Sequence, residues 1–234
     1  MNMSKYLPFY SKGDDGIPAL AHDTACVLYL PLWKKDGPAF KSDDMYGHNC
    51  TKFGAIWNPF GMSFDGADDY INIPDSASLD TIRSFEAWIN PVEEVADAAV
   101  FHLIFTKYSN YYVGLSIRYN TSPNQFTVHW ADSVPAYSHV YGPSIPAYNI
   151  WYHVVGILNS SMRAELFVNG LSRGVGDAIA DNNAALFLSS PVRLGGGVAG
   201  RYSKVNIGEV RAYSRVLTAQ EVSELYLSTR WRYQ

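Results

Sequence analysis

The sequence predicts an all-β protein, a β-sandwich or barrel, and three observations carry that expectation. Short alternating runs recur along the chain and turn residues break them. Aromatic residues reach 15% of the 234 residues, nearly matching the 17% that are charged. The 47% of hydrophobic residues can fill a large core, which excludes wholesale disorder. Many short strands at turn-punctuated spacing are the pattern of sandwiches and barrels.

Taken in order, residues 1–23 are rich in Gly, Pro and Asp, have no period and read as an N-terminal arm. Tyr6, Leu7, Phe9 and Tyr10 are apolar for a solvated tail. A floppy tail and an arm docked on a neighbour both remain open there. Lys12, Asp14 and Asp15 interrupt any apolar run, so no classical signal peptide is read in this chain. Strands are expected at Cys26–Leu30, Met62–Phe64, Tyr70–Ile73, Ser84–Ile89, Val100–Lys107, Tyr112–Arg118 and Gln125–Trp130. Four more are expected at Trp151–Leu158, Ala164–Val168, Pro191–Leu194 and Ile207–Tyr213. Asn169-Gly170 after Ala164–Val168 favours the positive φ angles of a tight hairpin. Thr218-Ala219-Gln220-Glu221 has capping-box spacing and starts the single expected helix, with Val222, Leu225 and Tyr226 on one face.

A net charge of −4 disfavours nucleic acid as a partner. No apolar run approaches the roughly 18 residues that a membrane span needs. Cys26 and Cys50 are too few for a disulfide framework; two buried thiols are expected ahead of a bridge between them. Phe64, Tyr70, Ile71, Ile73, Phe85 and Trp88 supply area for a core between two sheets, and Trp57 and Trp151 are assigned to it as well.

The run Met62-Ser63-Phe64-Asp65-Gly66-Ala67-Asp68-Asp69-Tyr70-Ile71-Asn72-Ile73-Pro74, with Ser76-Ala77-Ser78-Leu79, resembles the SFDGxDDYxxIPxSxSL signature of laminin-G-like, concanavalin A-like domains. Five further segments fall in that family's order: Val27–Leu32, Ser84–Pro91, Trp151–Val155, Leu166–Gly170 and Gly208–Thr218. The resemblance covers residues 24–228 and implies a two-sheet antiparallel jelly-roll sandwich, leaving 1–23 as arm and 229–234 as tail. It also implies a lectin-like binding module, or one of the family's glucanases. Members often hold a structural calcium, for which Asp65, Asp68 and Asp69 are the candidates here, completed by Glu209. The competing reading is turn chemistry, with the aspartates bonding their own backbone around Gly66. Gly208 stands where the family's closing motif has aspartate.

Glycoside hydrolysis needs two carboxylates facing across a cleft. The E-x-D-x-x-E string of laminarinase-type enzymes does not occur, and Glu86 stands alone on its strand. The expectation is therefore no enzyme. His153 is read as a hydrogen-bonded structural residue. Gly195 to Gly200 fits G-x-G-x-x-G but precedes a strand rather than a helix, which argues against a dinucleotide site. Between Tyr108 and Tyr148 the aromatics cluster, and Tyr108, Tyr111, Tyr112, Trp130, Tyr137 and Tyr141 are the candidate ligand-binding residues. Rings with a polar tip can stack on a sugar's C–H face and bond its hydroxyls. The same rings could anchor a protein interface or simply cover the sandwich. Two function classes follow. One is a binding module for carbohydrate or another surface ligand. The other is a structural or decoration protein of a virion or surface assembly, oligomerising through the N-terminal arm. Either places the chain outside the cell or on a particle surface.

Overall fold

The computed structural model describes residues 23–93, 101–108, 112–118, 124–131, 137–179, 190–196 and 200–234. The expected arm, apart from Asp23, lies outside the described residues, as does Tyr111. Strands run as β1 (Cys26–Pro31), β2 (Ala39–Lys41), β3 (Asn49–Phe53), β4 (Ile56–Asn58), β5 (Gly61–Asp65), β6 (Tyr70–Ile73), β7 (Ser84–Pro91) and β8 (Phe101–Tyr108). They continue as β9 (Tyr112–Arg118), β10 (Gln125–Ala131), β11 (Tyr137–Ser144), β12 (Tyr152–Leu158), β13 (Arg163–Val168), β14 (Leu171–Ala178), β15 (Val192–Leu194) and β16 (Lys204–Tyr213). One helix, α1 (Ala219–Thr229), follows.

Two antiparallel sheets form a jelly-roll sandwich. The first has the order β14-β13-β12-β7-β16-β5-β4, with β1 also paired to β16. The second has the order β11-β10-β9-β8-β15-β6-β3-β2. Alternation explains the packing, because successive side chains leave opposite faces of a strand. On β7, Phe85, Ala87 and Ile89 enter the core between the sheets, together with Leu115 and Ile117 of β9 and Phe126, Val128 and Trp130 of β10. Phe85 is stacked on both sides, by Phe105 and by Trp130, with centroids 4.9 Å apart in each pair. Gly156 of β12 leaves room for that stack; a Cβ there would sit 2.5 Å from the Phe85 ring.

The first sheet is covered on its outer face too. Cys26, Tyr29, Val155, Ile157, Phe167 and Tyr213 meet Leu217, Val222 and Leu225 of the C-terminal segment in a second apolar cluster. The capping box forms as the sequence predicts: the Thr218 hydroxyl accepts from the Glu221 amide at 3.2 Å, and the Glu221 carboxylate accepts from the Thr218 amide at 2.8 Å. Trp88 belongs to this outer layer and not to the core between the sheets. Its indole donates to Thr229 at 2.8 Å and its ring stacks on Tyr233 at 4.5 Å. Tyr70 also departs from expectation, facing outward and stacking on Phe53 at 4.4 Å. Both cysteines are free; Cys26 lies in the outer cluster and Cys50 in the inner one. Among the described residues no helix is long and apolar enough to cross a membrane.

The missing aspartate at position 208 has a packing reason. A Cβ on Gly208 would lie 2.4 Å from the Tyr233 ring, so the glycine makes the seat for the end of the chain. Gly208→Ala should therefore cost about 1–3 kcal/mol by overpacking. Combined with Tyr233→Ala, the second cost should shrink, because the two positions contact each other. Urea unfolding of both single variants and the double variant measures this, and strictly additive losses would contradict it.

Candidate functional site

Strand pairing brings together the carboxylates that the sequence leaves apart. Glu86 on β7 stands opposite Arg211 on β16 and opposite Val155 on β12. Arg211 donates to Glu86, and its Nη1 is 3.1 Å from Glu209 Oε1. His153 Nε2 lies 2.7 Å from the other Glu86 oxygen, so His153 is the hydrogen-bonded residue that the sequence suggests. The Arg211 guanidinium also rests on the Tyr29 ring at 4.5 Å. Glu86 is 1% exposed and Glu209 is 4% exposed, both beneath α1 and the chain end.

Burial alone would raise the Glu86 carboxyl, but the Arg211 charge and the bond to His153 outweigh it and hold it at about 2. Glu209 goes the other way: burial pushes it up, and Arg211 offsets only part of that. These two carboxylates share one cation inside a sealed layer.

The expected calcium ligands divide. Asp65, Asp68 and Asp69 offer oxygens within 4.8 Å of one another. Glu209 does not join them; the β16 residue opposite Asp65 is Lys204, five positions earlier, and Arg211 holds Glu209. The turn uses its own carboxylates. Asp69 accepts from the Asp65 amide at 2.9 Å, and Asp65 accepts from the Ala67 amide at 2.8 Å and the Asp68 amide at 3.4 Å. Asp69 is buried, which raises its carboxyl. Its other oxygen fills the space that Gly54 leaves, 1.6 Å from where a Cβ would stand. The three aspartates fit a set of hard oxygen donors for calcium, whose charge would offset their repulsion. Asp65 and Asp69 also close the turn by accepting backbone amides on their carboxylates.

The aromatic segment also divides. β8 to β11 form a meander, so the β8–β9 and β10–β11 connections lie at the same end of the second sheet. Tyr108 pairs with Tyr112 across one connection and Tyr137 with Ala131 across the other. The backbones of Tyr108, Tyr112 and Tyr137 therefore share one rim; their side chains lie outside the described residues. Trp130 does not belong there. It is 0% exposed and stacked on Phe85, because its place on β10 points it into the core. Tyr141 lies farther along β11, 38% exposed, with the Arg118 guanidinium 4.1 Å from its ring.

A second aromatic surface, not singled out from the sequence as a site, lies at the β4 edge of the first sheet. Trp57, expected in the core, is 40% exposed, and its indole donates to the Trp33 carbonyl at 3.0 Å. The Arg232 guanidinium lies 3.5 Å from the Trp33 ring and 4.6 Å from the Trp231 ring. Phe60 lies 6.5 Å from Trp151, which is half-buried rather than in the expected core and packs at a tilt against Tyr233 at 4.8 Å. The sequence signal was the aromatic-basic run Arg230 to Tyr233, and Ile56-Trp57 on so short a strand.

A family model of the concanavalin A-like lectin/glucanases superfamily matches residues 65–223. A search of curated proteins finds no match. Among solved structures, Trypanosoma rangeli sialidase in complex with 2,3-difluorosialic acid is similar, with a TM-score of 0.70 and 18% identity over 95% of this chain and 35% of that one. The binding domain of Paraclostridial mosquitocidal protein 1 gives a TM-score of 0.66 and 16% identity, covering 86% of this chain and 52% of that one. The receptor-binding domain of botulinum neurotoxin D gives 0.67 and 13%, covering 87% and 52%. At these identities the likeness is one of fold, and the chain spans about a third of the sialidase and half of each toxin chain.

The buried network makes a prediction with a definite sign. The Glu86 carboxyl is depressed in the folded state, so its stabilisation is present above the ordinary value of 4.5 and is lost as pH falls toward about 2. Glu86→Gln should cost about 1–3 kcal/mol at neutral pH by removing one of the two carboxylates on Arg211, with Glu209 left to pair the cation. It should also flatten the loss of stability on acidification through that window. Urea midpoints measured across it for both proteins test this; parallel acid slopes would contradict it.

Proposed function

Since the chain belongs to the concanavalin A-like lectin/glucanases superfamily, we propose that it is a binding module that recognises carbohydrate without catalysis. One contrast carries this reading. Glu86 and Glu209, the carboxylate pair that strand pairing brings together, are sealed and tied to Arg211, while flat rings such as Trp57, Phe60 and Trp231 stand at the surface. A hydrolase needs the reverse, with open carboxylates and a sugar held between them. Exposed indole and phenol rings suit the C–H faces of sugars. A similar fold within a sialidase solved with sialic acid, and another described as a receptor-binding domain, support the carbohydrate part of this reading. The module works outside the cell or on a virion surface, where glycans are its ligands.

Assembly through the arm is a second reading, favoured by one clamp. Arg215 bridges Asp23 at 2.7 Å and Glu221 at 2.6 Å, and so fixes the point from which residues 1–22 depart. An arm anchored at its root can deliver Tyr6, Leu7, Phe9 and Tyr10 to a neighbouring copy.

A glycan array probed with the full chain, followed by a product assay on every sugar bound, tests the first reading. The expected result is binding to a defined set with no cleavage. Cleavage of any bound glycan, or no binding at all, would overturn it. For the arm, light scattering should give a smaller mass when residues 1–22 are deleted; an unchanged mass would remove the arm as an assembly element.

A further inference from the structure

We propose that the surface built from Trp33, Trp57, Trp231 and Arg232 is a subsite for a carboxylate-bearing sugar. In it Arg232 grips the carboxylate, and the exposed indoles cover the sugar's C–H faces. The inference rests on the carbohydrate-binding reading above and gives it a ligand class and a place, away from the tyrosine rim of the second sheet.

The geometry at Arg232 is the starting point. Its guanidinium lies 3.5 Å from the Trp33 ring and 4.6 Å from the Trp231 ring. Among the described residues its side chain makes no hydrogen bond or ion pair, so its donors are not spent inside the protein. Arg232 is part-exposed, and a guanidinium keeps its N–H groups in one plane, so a ligand at this surface can reach its donors. That fork matches the two oxygens of a planar carboxylate. Ring packing also reduces the freedom that the side chain would lose on binding.

Charge points the same way. The whole chain is net negative, yet Lys34 Nζ lies 4.7 Å from the same Trp33 ring, and Arg230 follows α1 two positions before Arg232. Neither Lys34 nor Arg230 has an ion pair among the described residues. Glu209, whose charge is felt by Arg232, is buried and held by Arg211. Lys34 and Arg232, both against the Trp33 ring, make a locally positive aromatic surface, with Arg230 two positions away in sequence. Trp231 is 69% exposed and Trp57 is 40% exposed, which leaves ring area for a pyranose. A neutral sugar would use the rings and leave the unpaired fork idle.

Calorimetry of the full chain with 3′-sialyllactose, a glucuronate trisaccharide and neutral lactose tests the inference, and the two acidic probes separate sialic from uronic ligands. At least one acidic sugar should bind about tenfold or more tightly than lactose, as a charge-assisted pair implies. Arg232→Gln should bring that sugar down to the lactose level. Arg232→Lys should fall between, keeping charge without the fork. Trp231→Ala should weaken it about two- to tenfold. All three variants should melt with the wild type, since these side chains lie at the surface. If sugars bind but Arg232→Gln and Trp231→Ala bind like wild type, the subsite is wrong and the carbohydrate reading stands. If neither the array nor these probes bind, the reading fails and the subsite with it. If Trp57→Ala and Trp231→Ala lower the molecular mass in light scattering and leave sugar binding unchanged, the surface joins copies of this chain, and the proposal is overturned.

Discussion

The middle of the first sheet is buried on both faces, at β7 and β12, and the charge network and the fold of the chain end follow from that constraint. Every residue of β7 is buried. A strand buried on both faces must find partners for whatever polar groups it carries, because an unpaired buried charge is costly. β7 carries Glu86, and the answer is Arg211 from the next strand and His153 from the strand on the other side. Covering that trio takes α1 and the final turn of the chain, and seating the final turn takes Gly208.

The proposed function rests on this arrangement. A sandwich of this family can present a carboxylate pair to a glycosidic bond or use its surface to hold a sugar. Here the end of the chain closes over Glu86 and Glu209. The same segment carries Trp231 and Arg232 to the outside, against Trp33. One C-terminal stretch thus seals a charge network on its inner side and builds an aromatic, cationic surface on its outer side.

Much of the fold was legible in the sequence. Tyr70–Ile73 and Tyr112–Arg118 match their expected bounds, and Thr218 with Glu221 starts the helix. Five strands were not foreseen, and four of them are sheet edges: β2, β4, β11 and β14. Edge strands lack a neighbour on one side and need no strict alternation. Gly174 and Gly176 interrupt β14, and Gly142-Pro143 interrupts β11. The site was harder to read. Trp130 sits in a run of surface-type aromatics, and only the register of β10 shows that it points inward. Trp57 invites assignment to the core by size, whereas its three-residue edge strand leaves it outside. Glu86 looked solitary because its partners stand 67 and 125 positions away.

The sealed carboxylate pair, held by a shared arginine, is the feature on which the rest of the molecule turns. A carbon-13 titration of the glutamate side-chain carboxyls, with Glu86 and Glu209 assigned by substitution, measures it directly. Glu86 should titrate far below the other glutamates, at about 2, and Glu209 above its ordinary value. Two carboxyls that both titrate near 4.5, as if open to water, would contradict it.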